Sequence, residues 1–351
     1  MKIAGYMIKC NILFLFLLLC ACGTDNNGLR NIAFENLVGV PSGCDYIVDY
    51  PQEMYVIDSL LILCDPSSNK GFVEVYNINT GEFRGALLTK GRGEFESLSP
   101  FVIGFSDNHD SLYVYDVAMN RLVVSNLVLY GDSLVAESYT QFSSDRGDVI
   151  SSKLAKLANG YIVSMPYFAQ DSMFVLYNSE MQFMQRFGIF PIQWEKDTDI
   201  KLYSTFVGDV KAYGNKVIYA SGGLPYVVCY DIADDGSVTK CWEVMLDEYS
   251  IYFEDNKLKF SIDNPQTFMS VHPTADKIFI VYNGYTTDDW AHDIKKSMEY
   301  RVVVMNYDGA IIGAYELDYP IMKLAVYPEG DELFVFTSID ERMDIVKYRI
   351  N

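Results

Sequence analysis

The residues able to do chemistry in this 351-residue chain include three histidines, seven cysteines and forty-seven carboxylates. Their spacing assembles little. No GxSxG elbow is present, and His109, His272 and His292 each fall in or beside a turn, so a Ser-His-Asp set cannot be put together from spacing. No CxxC pair occurs and the histidines are scattered, which leaves no zinc pattern. Asp and Asn are plentiful, and carboxylates with amides around a central channel can hold calcium. Here they stand where turns favour them, so turn use is the better account and no cofactor is expected, channel calcium being the one alternative. Paired carboxylates for glycoside work fail likewise, because spacing along a chain cannot place two of them ~5–10 Å apart in space.

Three stretches remain as candidates for binding. Lys90-Gly91-Arg92-Gly93-Glu94 can cradle an anion through backbone N–H groups and Arg92, although no helix and no GK[ST] follow, so it is not a P-loop. The plainer reading is a crossover between repeats, with Arg92 paired to Glu94 or to a neighbouring repeat. Trp194, with Tyr203 and Phe206 nearby, can stack on a sugar ring or simply cover a long loop. Trp290 belongs to a predicted short helix capped by Thr286, with Asp288 and Asp289 in its first turn and Lys295 and Lys296 near its end. Trp290, Ile294 and Met298 share one face and His292 lies mainly elsewhere, so the segment is either a partner-binding handle or an amphipathic cover.

The elements that must position these residues follow a repeating grammar. Met54 to Glu94 reads MYVID, a turn at Asp58-Ser59, LLILCD, a loop, FVEVYNI, a turn at Asn79-Thr80-Gly81, then EFRGALL. Four short apolar runs separated by turn residues describe a four-stranded antiparallel sheet. One such sheet leaves apolar faces uncovered and needs neighbours of its kind. The second strand recurs at Leu60, Leu112, Tyr161, Val217, Ile278 and Leu333, at intervals of 52, 49, 56, 61 and 55 residues. Each is preceded by a polar turn, and Gly81, Gly236 and Gly309 mark the turn before the fourth strand. Six such units predict an all-β, six-bladed β-propeller over residues 32–351. The sixth unit stops one strand short, and the orphan segment Ile32 to Val48 is expected to supply it, closing the ring and hiding an edge. Two insertions interrupt the pattern, Phe190 to Phe206 and Gly284 to Ser297.

Ahead of the repeats, Lys2 and Lys9 precede an apolar run of ten from Ile12 to Ala21, too short for a membrane span of about twenty. Residues 1–21 therefore read as an export signal. Leu19-Cys20-Ala21-Cys22 resembles a bacterial lipobox, with cleavage before Cys22 and acylation of its thiol, and 22–31 form a tether. Loss of the two lysines takes the formal charge from −20 to −22, which disfavours nucleic acid as a partner. An exported chain permits disulfides, and Cys229 and Cys241 flank a turn near Asp235 where a bridge is sterically allowed, although buried free Cys is the commoner arrangement.

On the lipobox, the six units and Lys90-Gly91-Arg92-Gly93-Glu94-Phe95, the mature chain resembles the TolB-like six-bladed β-propeller lipoproteins of Bacteroidota. That last segment looks like the family's KGxGPGEF-type signature, without its Pro and second following Gly. The resemblance implies fold and anchoring, and it says little of function. Gly23 after Cys22, where an inner-membrane retention signal would have Asp, points to the outer membrane. With only Asp25 acidic behind it, the periplasmic leaflet is favoured over the cell surface. The expected role is a non-catalytic binding or scaffold module for a protein or glycan partner, using Arg92, Glu94, Trp194, Trp290 or His292. The alternative is a hydrolase or lyase with a metal-assisted site in the central channel. An apolar or aromatic patch at the channel mouth would favour the first, converging carboxylates, His or Arg with a bound metal the second.

Overall fold

The structure is a computed structural model that describes Leu29, Tyr46 and residues 32–44, 51–93, 96–106, 109–130, 133–143, 153–166, 172–192, 206–254, 257–267, 270–293 and 300–350. Its strands are apolar on both faces where the sheets stack. All five residues of Leu60–Cys64 are buried, and a strand covered on both sides belongs in the middle of a layered assembly. Blade 1 runs outward from the axis as Glu53–Ile57, Leu60–Cys64, Val73–Asn77 and Phe83–Leu87, all antiparallel. Blades 2, 3 and 4 repeat this order over residues 100–143, 154–187 and 208–245. Blades 5 and 6 begin at Ser270–Pro273 and Lys323–Val326. The result is a six-bladed β-propeller.

The N-terminal segment completes the last blade as the repeat count requires. Val40–Pro41 pairs antiparallel with Arg342–Arg349, with Val40 opposite Lys347. It does so with two residues only, because the same segment first serves blade 5. Glu35–Leu37 lies parallel to Ile311–Leu317 as a fifth, outermost strand. Between the two, a Cβ on Gly39 would lie 2.2 Å from Val346 Cγ1, so the chain crosses from blade to blade where only glycine fits. Asp344 fixes the far side, accepting from the Gly43 N–H at 3.1 Å and from the Ser42 hydroxyl.

Stability resides between blades. Six apolar clusters each join one blade to the next, from the group around Ile62 and Val114 to the group around Leu63 and Phe336. Fully burying one such side chain contributes about 1.5–3 kcal/mol, so each blade is held mainly by its neighbours. Blades 1 to 5 also share a β-bulge between their third and fourth strands, as at Val75/Tyr76 and Val304/Met305. Such bulges add local twist, and the outer strand of each blade splays from the inner one accordingly.

The blade 4 bulge brings the two thiols near each other, and Cys241 helps burial raise the Cys229 thiol to about 12. The bulge sets Trp242 opposite Cys229, with Lys240 opposite Tyr230, and leaves Cys241 as the extra residue. Both cysteines are free, Cys229 buried and Cys241 exposed. The hairpin Ile251–Glu254 and Lys257–Phe260, between blades 4 and 5, is an insertion that the repeat pattern alone does not reveal. Its alternating residues read as another strand pair, and only topology separates it from a blade. Among the described residues, no helix is long and apolar enough to cross a membrane.

Candidate functional site

Six inner strands ring the axis, and in five of them charged or polar residues lie at or near the start, blade 2 with Pro100–Phe105 being the exception. Glu53 opens blade 1, Lys153 precedes Leu154–Lys156 of blade 3, and Asp209 and Lys211 lie on Gly208–Tyr213 of blade 4. Ser270 and His272 lie on the inner strand of blade 5, and Lys323 opens that of blade 6. They line a hollow of about 300 Å³ at the end of the channel where these strands begin, with a second of about 240 Å³ beside it. At the other end a larger hollow of about 420 Å³ is lined by strand ends, including Phe105, Lys156, Tyr213 and Pro273, and by His109. Glu53 and His272 border both ends, so the two hollows meet at them.

The partition between them is an ion pair across the axis. Lys211 Nζ of blade 4 lies 2.7 Å from Glu53 Oε2 of blade 1, and blades 1 and 4 face each other in a ring of six. Beside it, Lys153 Nζ stands 3.8 Å from Asp209 Oδ1, while Asp209 Oδ2 accepts the Val271 N–H at 3.1 Å. Asp209 is only 7% exposed. Burial pushes its carboxyl upward, yet Lys211, Lys153 and that N–H outweigh burial and hold it below the usual Asp range. Burial likewise opposes the charge on Lys211, but Glu53, Tyr55 and Asp209 keep its ammonium well above the ordinary lysine value. Both groups are therefore charged throughout the physiological range, and neither is poised to exchange a proton.

His272 behaves differently. Burial pulls its imidazole down to about 4; Asp209 resists, while Lys211 and Lys323 add to the fall. The ring is neutral at pH 7. Its Nε2 lies 3.1 Å from the Ser270 hydroxyl, a side-chain pair that the two-residue repeat of a strand puts on one face. Burial also lowers the Lys323 ammonium, with Lys153 and Lys211 contributing and Glu53 and Asp209 opposing. Burial raises the Tyr55 phenol far above its usual value, and its hydroxyl has no hydrogen-bond partner among the described residues.

The end where the strands begin thus gathers Asp209, His272 and two lysines among apolar residues such as Met54 and Ile321, while the opposite hollow carries an apolar and aromatic lining that includes Tyr55, Phe105 and Tyr213. Among the described residues, no group of three or more His, Cys, Asp or Glu is gathered closely enough to hold a metal. The two channel carboxylates already face lysines, which a cation would have to displace.

The residues singled out from the sequence lie elsewhere. Arg92 is exposed beside blades 1 and 2. The backbone it belongs to does cradle an anion, but an internal one: the Gly93 N–H donates to Glu96 Oε2 at 2.7 Å. A Cβ on Gly91 would sit 2.0 Å from that oxygen, so a side chain there would displace the Glu96 carboxylate. The helix Thr287–His292 has the expected Thr286 cap, reinforced by a reciprocal bond from Asp289. None of its residues is buried, and Trp290 is 44% exposed. His292 is exposed and its Nδ1 lies 2.8 Å from the Asp288 carbonyl oxygen. Cys22, Glu94, Trp194, Ile294 and Met298 fall outside the described residues. The structure brings none of the described candidates into the channel.

A ring of six four-stranded blades with a charged axial channel defines the class, a six-bladed propeller. The chain belongs to the TolB-like 6-blade propeller-like family, whose pattern matches residues 38–329. A Bacteroides fragilis protein classed as exported superposes with a TM-score of 0.53 at 12% identity, over 89% of this chain and 95% of its own. A DUF4221-family protein of Bacteroides vulgatus gives 0.48 at 11% identity, over 91% and 97%. A luciferin-regenerating enzyme gives 0.47 at 12%, over 89% and 95%. At these identities the likeness speaks for the fold alone. No curated protein matches the sequence.

Proposed function

We propose that this protein is an exported propeller, anchored through Cys22 to the outer membrane, that acts as a non-catalytic binding module with its site at the axial mouth. The observation that carries this reading is the hollow of about 300 Å³ walled by Lys153, Asp209, Ser270, His272 and Lys323. It is a polar seat closed at its base by the Glu53–Lys211 pair. Hydroxyl, imidazole, ammonium and carboxylate groups suit hydrogen bonding to a glycan better than an apolar protein surface. The exported class of the Bacteroides fragilis relative agrees with the leader. A glycan array run beside an envelope pull-down tests it. Binding is expected to fall in Lys323→Ala and to survive in Trp290→Ala; a partner held equally by wild type and Lys323→Ala overturns the axial site.

A hydrolase is the second reading, favoured by one observation, the 3.1 Å Ser270–His272 contact. His272 would accept the Ser270 proton as the hydroxyl attacks a carbonyl. Its low basicity and the absence of a carboxylate hydrogen bond to the ring, among the described residues, weigh against efficient activation. Turnover of an ester and lactone panel, lost in Ser270→Ala, would establish it in place of the binding reading.

A further inference from the structure

Away from the axis, one buried cation makes no ion pair among the described residues. Arg121 opens the third strand of blade 2, Arg121–Tyr130, and is only 7% exposed. Its guanidinium donates to neutral acceptors: Nη1 to Gln141 Oε1 at 2.9 Å, and Nη2 to the Glu96 and Gly93 carbonyls. Its Nε–H is buried and finds no acceptor among the described residues.

The carboxylates nearest by topology are engaged elsewhere. Asp116 stands opposite Arg121 in register, but its oxygens accept from the Ser97 hydroxyl and the Leu98, Ser99 and Met119 N–H groups. Glu96 turns its carboxylate to the Gly93 N–H. Asp116 and Glu96 lie nearby, yet among the described residues none of the guanidinium's hydrogen bonds reaches a charged acceptor, and an anion in contact with it would supply one.

Beside Arg121 is an open hollow of about 330 Å³, lined also by Arg92, Gly93, Tyr139 and Gln141. Arg92 adds a second guanidinium, and neither arginine forms an ion pair among the described residues. Two arginines around one hollow are out of keeping with a chain of formal charge −20 unless that hollow meets negative charge. Planar guanidinium groups match carboxylate and phosphate oxygens in pairs. We propose that the hollow between Arg92 and Arg121 is an oxyanion site, taking a ligand through a carboxylate or phosphate group. It is separate from the axial seat, and its failure leaves that reading untouched.

Calorimetric titration of the full chain at low chloride tests the site, with sodium phosphate in one arm and sodium acetate in the other. One-to-one binding of phosphate alone marks a phosphoryl-bearing ligand, and binding of acetate marks a carboxylate; either supports the proposal. Arg92→Gln, at an exposed position that does not threaten folding, is expected to weaken that binding about tenfold, the loss of one charge-assisted contact. Arg121→Gln is expected to abolish it. No heat from either anion, or unchanged affinity in Arg92→Gln, overturns the proposal. Silence from the wild type with binding by Glu94→Gln also overturns it, because the chain's own carboxylate then fills the hollow.

Discussion

The axial channel and the Arg92–Arg121 hollow both hold cationic side chains, yet only the channel gives them carboxylates. In the channel, Lys211 reaches across the ring to Glu53 and Lys153 lies beside Asp209. At the blade 1–2 rim, Arg121 is buried against carbonyl and amide oxygens alone. The first arrangement is self-sufficient: its charges hold opposite blades together and resist titration. The second is complete only when something negative arrives. Burial of charge thus closes the floor of the axial seat in one place, and in the other leaves a cation bonded to neutral acceptors.

The contrast can be broken most sharply at Lys211. Replacing it with Met strands Glu53 beside the axis, and a loss of about 2–4 kcal/mol is expected by urea denaturation. The double change Glu53→Gln, Lys211→Met should recover most of it. If the double variant is as unstable as the single one, the pair is not what matters.

The next effect is one of pH. His272 falls from its ordinary 6.5 to about 4 on folding, so the unfolded chain binds its proton more tightly. Stability is then fully present above pH 6.5 and is lost as pH drops toward 4, by about 3 kcal/mol at most. Asp209, with its carboxyl held below the usual range, adds a loss only at lower pH, as the medium passes down through its folded value. His272→Gln should flatten the unfolding profile between pH 6.5 and 4 and leave the steeper acid limb in place. A wild-type profile flat across that window would refute the buried neutral imidazole.

Effects at the rim should be smaller. Arg121→Met removes three hydrogen bonds but also an under-compensated charge, so a stability change within about 1 kcal/mol is expected in anion-free buffer. A loss as large as that of Lys211→Met would show that Arg121 is as well matched as the channel lysines. Arg92→Gln, at an exposed position, should change thermal stability by less than about 0.5 kcal/mol while still weakening phosphate or acetate.

Much of the fold was legible because its signal is local and repeated. Strand, turn and strand recur at fixed intervals, and the missing strand of the sixth unit points to Ile32–Val48 by simple counting. Even there, the division of that segment between blades 5 and 6 follows from Gly39 and from packing against Val346. The site was far less legible. Trp290, Arg92 and His292 attract notice because they stand in insertions and loops, where polar or aromatic residues are conspicuous. The channel set was overlooked although it left a trace. Charged or polar residues open or occupy the innermost strands, as in EMYVI, GDVKAY, SVHP and KLAV, where an ordinary core strand would stay apolar.

What the sequence determined by itself is the number of blades, their antiparallel order and the positions of their turns, since each is set by residues within about ten positions of one another. What only the tertiary structure decided is which charges meet. Glu53 and Lys211 are separated by 158 residues, and Arg121 faces carbonyls of the crossover some 25 residues before it. Ring closure brings the first pair across an axis that no local pattern encodes. A single bulge or the turn of Glu96 decides whether a cation finds a carboxylate. Short-range rules fix backbone shape, whereas ion pairing depends on the meeting of distant side chains, and only the closed ring supplies that.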